Sequence, residues 1–470
     1  MTKLAALYGA SVKTERKILD DIEEHTFLAL DLGGTNLRVC EVTLLGNHEF
    51  SMKQQKYKVS EALKTGEASV LFDYLADSVD AFLTEHSSVG GPISPSHDIA
   101  NPFDTISAPA VPLGLTFSFP VEQTALNQGK ILTWTKGFSA KNAVGNDVVR
   151  LLQDAFDRKH LHVRCVALVN DTVGTLLSRA YSAGSCLLGA IFGTGTNGAY
   201  VEKVDNITKL GDSPARKDGG YMIINTEWGA FNNTRTKLPT TPYDNKLDRE
   251  SINPRYQAFE KFISGMYLGE ITRNILLALV DAAPKSLLFN GRASVALNTH
   301  YGLDTAVMSE VEEAWESGRD TEVKSAHFTD VEALGPQDLS RLERIRGILV
   351  QRLLLEPEDV SLRDAATVRW AASLVANRAA RLSGTALAAV LVQTGHATLG
   401  GGTPEPEENI IIGVDGSLIQ HYPNFQTRLR ASLSALVGEA VEKRVEIDLA
   451  KDGSGAGAAL CALQAVKQGL

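Results

Sequence analysis

The hexapeptide Asp31-Leu-Gly-Gly-Thr-Asn36 sits between the apolar runs 27–30 and 39–45, so its two glycines fall where a strand has to reverse on itself. Such a turn brings main chain close to a neighbour, because glycine tolerates positive φ and leaves backbone N–H groups open to an anion. Threonine and asparagine add side-chain donors. The pattern returns at Gly193-Thr-Gly-Thr-Asn197, between 187–192 and 199–204, and a shorter form, Asp415-Gly-Ser417, follows the run 410–414. Three glycine hairpins predict one nucleotide held from three sides. The first two share the order strand, glycine turn, Thr-Asn, strand, which reads as a divergent internal duplication. Two similar α/β halves facing each other would place both turns on one cleft, where ligands of paired α/β domains gather.

A chain of 470 residues exceeds one compact core and predicts two domains, or three. Its formal charge of -10 offers no basic surface, so nucleic acid and anionic membranes are poor partners and a nucleotide must be held locally. Cys40, Cys165, Cys186 and Cys461 are widely spaced and lie mostly in apolar stretches, the pattern of buried free thiols in a reducing compartment. The apolar run 4–8 after Lys3 is shorter than the core of an export signal. No run approaches the ~18 apolar residues of a transmembrane segment. These readings predict a cytoplasmic protein, in which the Asn-x-Thr triplets at Asn206 and Asn232 carry no meaning.

Periodicity predicts strand, hairpin and strand over 26–50, a helix over 69–82 and a polar loop over 87–112. A strand-like run over 113–119 and a helix over 147–158 precede the continuous apolar run 163–169, a buried strand that ends at Asn170-Asp171 and passes into a helix over 172–181. A strand over 221–225 then delivers Thr226-Glu227-Trp228-Gly229. One long helix is predicted over 255–283, a buried helical segment over 368–393, and a final helix from about 456, entered through Gly453-Ser-Gly-Ala-Gly457.

Gly193-x-Gly195-x-x-Gly198 formally matches a dinucleotide fingerprint, but the third glycine there should open a helix, and 199–204 is strand-like. With no Gly-x-x-x-x-Gly-Lys-Ser/Thr loop in the chain, phosphate capture rests on the hairpins. Asp171 alone reads as a helix N-cap. Beside Asn170, at the carboxyl end of a central strand, it also fits a base that accepts a hydroxyl proton during phosphoryl transfer. Glu270, on the helix that carries Phe259, Ile263 and Met266 and about three turns beyond Phe259, is a buried acid, either paired with Arg or Lys or reserved for a ligand. Glu227 beside Trp228 is a similar case. Lys136, in a turn flanked by Trp134 and Phe138, is either solvated or functional. Ser118, Thr135, Lys136, Asn170, Asp171, Asn197, Glu227 and Glu270 are hydrogen-bonding groups at the ends of apolar segments, a set suited to a neutral polyol, since a missing hydroxyl leaves a buried group unpaired.

These segments, with Thr116-Phe-Ser118-Phe-Pro120, Trp134-Thr-Lys136-Gly-Phe138, Ser264-Gly-Met-Tyr-Leu-Gly-Glu270 and Lys451-Asp-Gly-Ser-Gly455, give the chain a resemblance to the eukaryotic hexokinase family, of the fungal hexokinase and glucokinase type, within the actin-like ATPase superfamily. The resemblance runs from about residue 26 to the end. It implies a two-domain α/β fold of the ribonuclease H-like kind, with a ligand cleft between a small and a large domain. The small domain is expected over 26–168 with the C-terminal helix, about 455–470, packed on it, and the large one over 172–450 with the segment 1–25.

The implied activity is ATP-dependent phosphorylation of the 6-hydroxyl of glucose, fructose or mannose, the first step of glycolysis. By resemblance Asp171 is the base, and Ser118, Thr135, Lys136, Asn170, Asn197, Glu227 and Glu270 contact the sugar. Lys136 also steadies the transferring group. Asp31, Gly33, Gly34, Thr35, Asn36 and Arg38 match the first phosphate hairpin, and Gly193, Thr194, Gly195 and Thr196 the second. Asp415, Gly416 and Ser417, with Ser454, match the adenosine side. Magnesium would be held by phosphate oxygens and water, with Asp31 nearby. Sugar binding is expected to close the cleft against water. Relatives carry a longer leader before the first hairpin, so the leader here reads as truncated or replaced; monomer and homodimer both stay open. The loops 205–220 and 284–335 read as variable within the family. The rival readings are an N-acetylhexosamine kinase and a sugar-sensing relative without turnover.

Overall fold

The computed structural model describes residues 24–34, 36–86, 110–213, 216–217, 219–318, 331–402, 408–450 and 452–470. The segment 1–23, most of the loop read over 87–112, Thr35, Lys451 and parts of the stretches 205–220, 284–335 and 398–408 lie outside the described residues.

The first hairpin pairs β1 (His25–Leu32) with β2 (Asn36–Gly46), placing Asp31 opposite Arg38. A further reversal through the left-handed Asn47 and His48 adds β3 (Glu49–Lys58), whose largely polar, half-exposed residues gave the alternation little to register. After α1 (Ala68–His86), β4 (Val111–Phe117) joins parallel to β1. A small hairpin, β5 (Val121–Ala125) with β6 (Gln128–Ile131), leads to α2 (Val148–Arg158). Asp147 caps that helix, accepting from the Arg150 N–H. Strand β7 (Val163–Val169) completes a five-stranded sheet in the order β3-β2-β1-β4-β7.

From β7 the chain passes into α3 (Asp171–Ala183) and begins a second sheet with β8 (Leu188–Phe192), β9 (Thr196–Lys203) and β10 (Tyr221–Asn225). Six main helices follow before the sheet resumes: α4 (Pro242–Glu250), α5 (Ala258–Ile263), α6 (Gly265–Val280), α7 (Thr305–Glu316), α8 (Pro336–Leu353) and α9 (Leu362–Gln393). Strand β11 (Ile410–Asp415), helices α10 (Ser417–His421) and α11 (Phe425–Val437), strand β12 (Val445–Leu449) and helix α12 (Gly453–Lys467) close the chain. The second sheet runs β10-β9-β8-β11-β12. Strand for strand this matches the first, so the duplication read from two glycine turns extends to whole sheets.

Three expectations need correction. The single helix over 255–283 is two helices, because Ser264 is extended (φ -84°, ψ 151°) and α6 restarts at Gly265. The third hairpin is a strand-to-helix turn, since Gly416 leads from β11 into α10 and no strand returns. Gly453 to Gly457 form the first turns of α12 itself and not a loop ahead of it.

The helix that leaves each sheet packs on the other sheet. Helix α3 follows β7 yet lies against β8, β9 and β11, while α12 follows β12 yet lies against β1, β4 and β7. With α2 also against it, β7 is enclosed from Cys165 onward, which is why 165–169 reads as apolar throughout, while the exposed Arg164 interrupts the run expected over 163–169. The two exchanged helices cross in backbone contact. A Cβ on Gly457 would stand 2.2 Å from Gly174 Cα, and one on Gly114 would stand 2.3 Å from the Ala458 carbonyl oxygen. This crossing fixes both helix N-termini, and with them Asp171 and Ser454, between the sheets.

Gly457→Ala is therefore expected to destabilise the protein by about 1–3 kcal/mol through overpacking. Gly347→Ala, on an exposed turn of α8 with no atom of the described residues within 4 Å of the new methyl, should stabilise by about 0.5–1 kcal/mol. Urea denaturation of the two variants checks the contrast, and equal tolerance would contradict so close a crossing.

Candidate active site

Asp31, next to last in β1, is almost fully buried, and its Oδ2 accepts from Arg38 Nε (3.0 Å), Arg38 Nη2 (2.6 Å) and Ser454 Oγ (2.7 Å). Arg38 Nη2 also donates to Ser454 Oγ at 3.0 Å. Ser454, expected beside adenosine, is thus committed to the first turn as a holder of Asp31. Gly33 N donates to Asn36 O at 3.1 Å, closing that turn, and Ser118 follows β4 with its N–H toward Leu32 O at 3.4 Å.

The second turn closes through Gly193 N to Gly195 O (3.0 Å), and the start of α6 donates into it, Gly265 N to Gly193 O at 2.8 Å and Met266 N to Thr194 O at 3.3 Å. Gly416 is left-handed (φ +116°) and any Cβ there would stand 2.5 Å from the Phe192 carbonyl, so the turn after β11 rests directly on the second. The first turn faces them both. A Cβ on Gly34 would come within 3.1 Å of Lys136 Cδ and 3.2 Å of Thr194 Cγ2. Burial pushes the Asp415 carboxyl up, opposed by the Gly416 N–H and by Arg38, while Asp31 and Asp171 push the same way as burial. These charges share one region.

At its centre stands Asp171. The N-cap of α3 is Asn170, whose Oδ1 accepts from Thr172 N at 3.0 Å, so the capping role that Asp171 could have filled belongs to its neighbour. Asp171 Oδ1 accepts from the same N–H at 2.8 Å, and its Oδ2 lies 3.7 Å from Lys136 Nζ. Lys136, left-handed at φ +55°, also donates to the Ser118 carbonyl at 2.9 Å. It is largely buried, not solvated. Thr135, just before it, is buried as well.

Beyond Lys136 the amides and acids converge. Asn197 Nδ2 donates to Asn225 Oδ1 (2.7 Å) and reaches Glu227 Oε1 at 3.3 Å and Asn170 Oδ1 at 3.5 Å, while Asn225 Nδ2 donates to Glu227 Oε1 at 2.9 Å. Burial pushes the Glu227 carboxyl up, against the Asn225 hydrogen bond and Lys136. Asn225 is a site residue that sequence reasoning missed.

Glu270 does not join this group. Arg273 Nε and Nη2 grip its carboxylate at 2.7 and 2.5 Å, and Tyr301 N donates to its Oε2 at 2.8 Å, with Glu270 itself fully buried. It is the paired acid of the two alternatives. The acid in the site is Glu260, on α5, whose Oε2 accepts from Thr196 N at 3.0 Å and whose buried Oε1 has no hydrogen-bond partner among the described residues. A Cβ on Gly195 would stand 2.6 Å from Glu260 Oε2 and 2.6 Å from Lys136 Cε. Burial pushes Glu260 up to about 7, with Lys136 and the Thr196 N–H opposing and Glu227 and Asp171 adding to the rise. Sequence offered a signal in the acid of Phe259-Glu260-Lys261-Phe262, flanked by aromatic residues, but counting turns across Ser264 pointed to Glu270.

Two profiles described as Hexokinase match residues 14–181 and 187–464. The glucokinase of Aspergillus niger is 41% identical over 468 residues, covering 95% of this chain and 87% of that one. Glucokinase-1 of Saccharomyces cerevisiae is 36% identical over 487 residues, covering 98% and 87%. Among solved structures, the hexokinase from Schistosoma mansoni complexed with glucose aligns with a TM-score of 0.77 at 32% identity, covering 98% of this chain and 92% of that one. The chain belongs to the hexokinase family, and it is a kinase of hexoses with the actin-like ATPase fold. Among the described residues no helix is long and apolar enough to cross a membrane.

Two consequences can be measured. A carboxyl held at about 7 in the fold, against about 4.5 unfolded, contributes stability that is complete below pH 4.5 and is lost as pH rises through 7. Glu260→Gln removes that loss, so without sugar its stability relative to the parent should rise between pH 5 and 8, by at most about 3 kcal/mol, in pH-dependent urea titrations. Arg273→Ala strands the Glu270 carboxylate and is expected to cost about 3–5 kcal/mol by the same assay.

Proposed function

We propose that the chain transfers the terminal phosphoryl group of Mg-ATP to the 6-hydroxyl of glucose, with fructose and mannose as further acceptors, as the first step of glycolysis in the cytoplasm. The observation that carries this reading is Asp171 at the junction of the glycine turns, its carboxylate 3.7 Å from Lys136 Nζ. The kinship with glucokinases points to glucose as the principal sugar.

In this reading the sugar lies between Ser118, Thr135, Asn170, Asn197, Glu227 and Glu260, hydroxyls, amides and carboxylates that serve the sugar's adjacent hydroxyls from both sides. Asp171 accepts the 6-hydroxyl proton as the oxygen forms its bond to the terminal phosphorus and the bond to the bridging oxygen breaks, releasing ADP. Lys136 offsets the charge of the transferring group and holds Asp171 in place. The triphosphate lies along the main chain of Gly33–Gly34 and Gly193–Thr196, with adenosine toward Gly416 and Ser417.

Magnesium would neutralise phosphate charge. Asp31 is suited to orienting its water shell. The sugar and nucleotide sides belong to a small domain over 26–168 with α12, and a large domain over 172–450, closing on each other around the sugar.

Asp171→Ala should keep sugar affinity within a few-fold while turnover falls by about 10²–10⁴, the usual worth of a general base. Glucose-dependent ADP release, run also with fructose, mannose and N-acetylglucosamine, measures this, and near-parental turnover in the variant would remove Asp171 from the role.

A further inference from the structure

Glu227 occupies the left-handed region (φ +49°), a conformation that strains a non-glycine residue and persists only where its surroundings enforce it. The enforcement comes from its neighbours in sequence. Asn225, Thr226 and Trp228 each reach the start of β9. Asn225 accepts from Asn197 (2.7 Å), Thr226 Oγ1 donates to the Gly198 carbonyl (2.7 Å), and Trp228 Nε1 donates to Thr196 Oγ1 (3.0 Å).

The indole is also pressed on the strand. A Cβ on Gly198 would stand 2.3 Å from Trp228 Cζ3, so only glycine at that position lets the ring lie flat enough for its N–H to reach Thr196. Thr196 is in turn the residue whose N–H donates to Glu260 Oε2 at 3.0 Å. A rigid aromatic plate therefore joins the backbone of one sugar-side acid, Glu227, to the phosphate turn and to the second sugar-side acid, Glu260.

We propose that Trp228, through its hydrogen bond to Thr196 Oγ1, is a positioning residue that couples the sugar side of the site to the triphosphate side. When sugar fixes the Glu227 carboxylate, the indole fixes Thr196, and the second turn is held in the form that receives phosphate. The main-chain amide of Thr196 cannot move to meet the nucleotide without disturbing Glu260. Sugar and nucleotide consequently raise each other's affinity by the same factor, as linkage requires.

The test is calorimetric binding of a non-hydrolysable ATP analogue with magnesium, with and without saturating glucose, to the full chain. The parent should bind the analogue at least fivefold more tightly with glucose present. Trp228→Phe keeps the ring over Gly198 and removes the N–H, and Thr196→Val removes the acceptor at nearly constant shape. Each should reduce the enhancement to less than twofold, and the double variant should do no more than either alone. Enhancement retained in either single variant, additive losses in the double variant, or no enhancement in the parent each overturns the proposal. The kinase reading stands apart from these outcomes, because glucose-dependent ADP release by the parent is measured separately.

Discussion

One cation holds together a site that would otherwise repel itself. Lys136 Nζ lies 3.7 Å from Asp171, and its charge opposes the rise that burial imposes on Glu227 and Glu260. Three carboxylates facing one region at low dielectric would drive protons onto each other. A lysine reaching in from the loop after β6, anchored on the Ser118 carbonyl, lets them coexist. Its left-handed backbone is the local strain that aims the side chain across the gap toward Gly195 of the second sheet.

That arrangement depends on how the sheets are joined. Each sheet hands its last helix to the other, and the exchanged helices meet at Gly174 and Gly457 with no side chain between them. The N-terminus of α3 presents Asp171, and that of α12 presents Ser454, which grips Asp31. Asp171, at the end of β7, and the Asp31 turn between β1 and β2 are thus both held from the second sheet's side by backbone contact, the least compressible contact a fold can make. The buried stretch around 456–465 is rich in alanine and glycine for the same reason, since the crossing leaves room for little else.

Much of this was legible in the sequence because the signals were local. The two Gly-Thr-Asn turns, the apolar strand 163–169 and the Asn170-Asp171 step at its end each fall where periodicity puts them. Signals that depend on tertiary contact were not legible. Strand β3 is polar because it lies at the edge of a sheet, so alternation missed it. Gly416 has the composition of a hairpin turn, yet it is glycine because Phe192 and Gly193 lie against it. Ser454 reads as a donor near a ligand, and only the exchange of helices shows that its acceptor is Asp31.

The two glutamates separated by Ser264 show where reading by residue type stops. Both are fully buried acids in apolar helices, and hydrophobic pattern cannot tell them apart. What separates them is the number of lone pairs already engaged. Glu270 meets two guanidinium nitrogens and a backbone N–H, so its charge is neutralised and its oxygens are occupied. Among the described residues Glu260 has one backbone donor on one oxygen and none on the other, with its nearest cation shared among three acids. A buried oxygen left without a donor costs about 1–3 kcal/mol, and the fold retains that cost beside the turn that meets Lys136. A hydroxyl-bearing ligand recovers it by donating there. In the proposed function the acid that the protein leaves unsatisfied is the one that meets substrate, while the acid it satisfies fully is part of the frame.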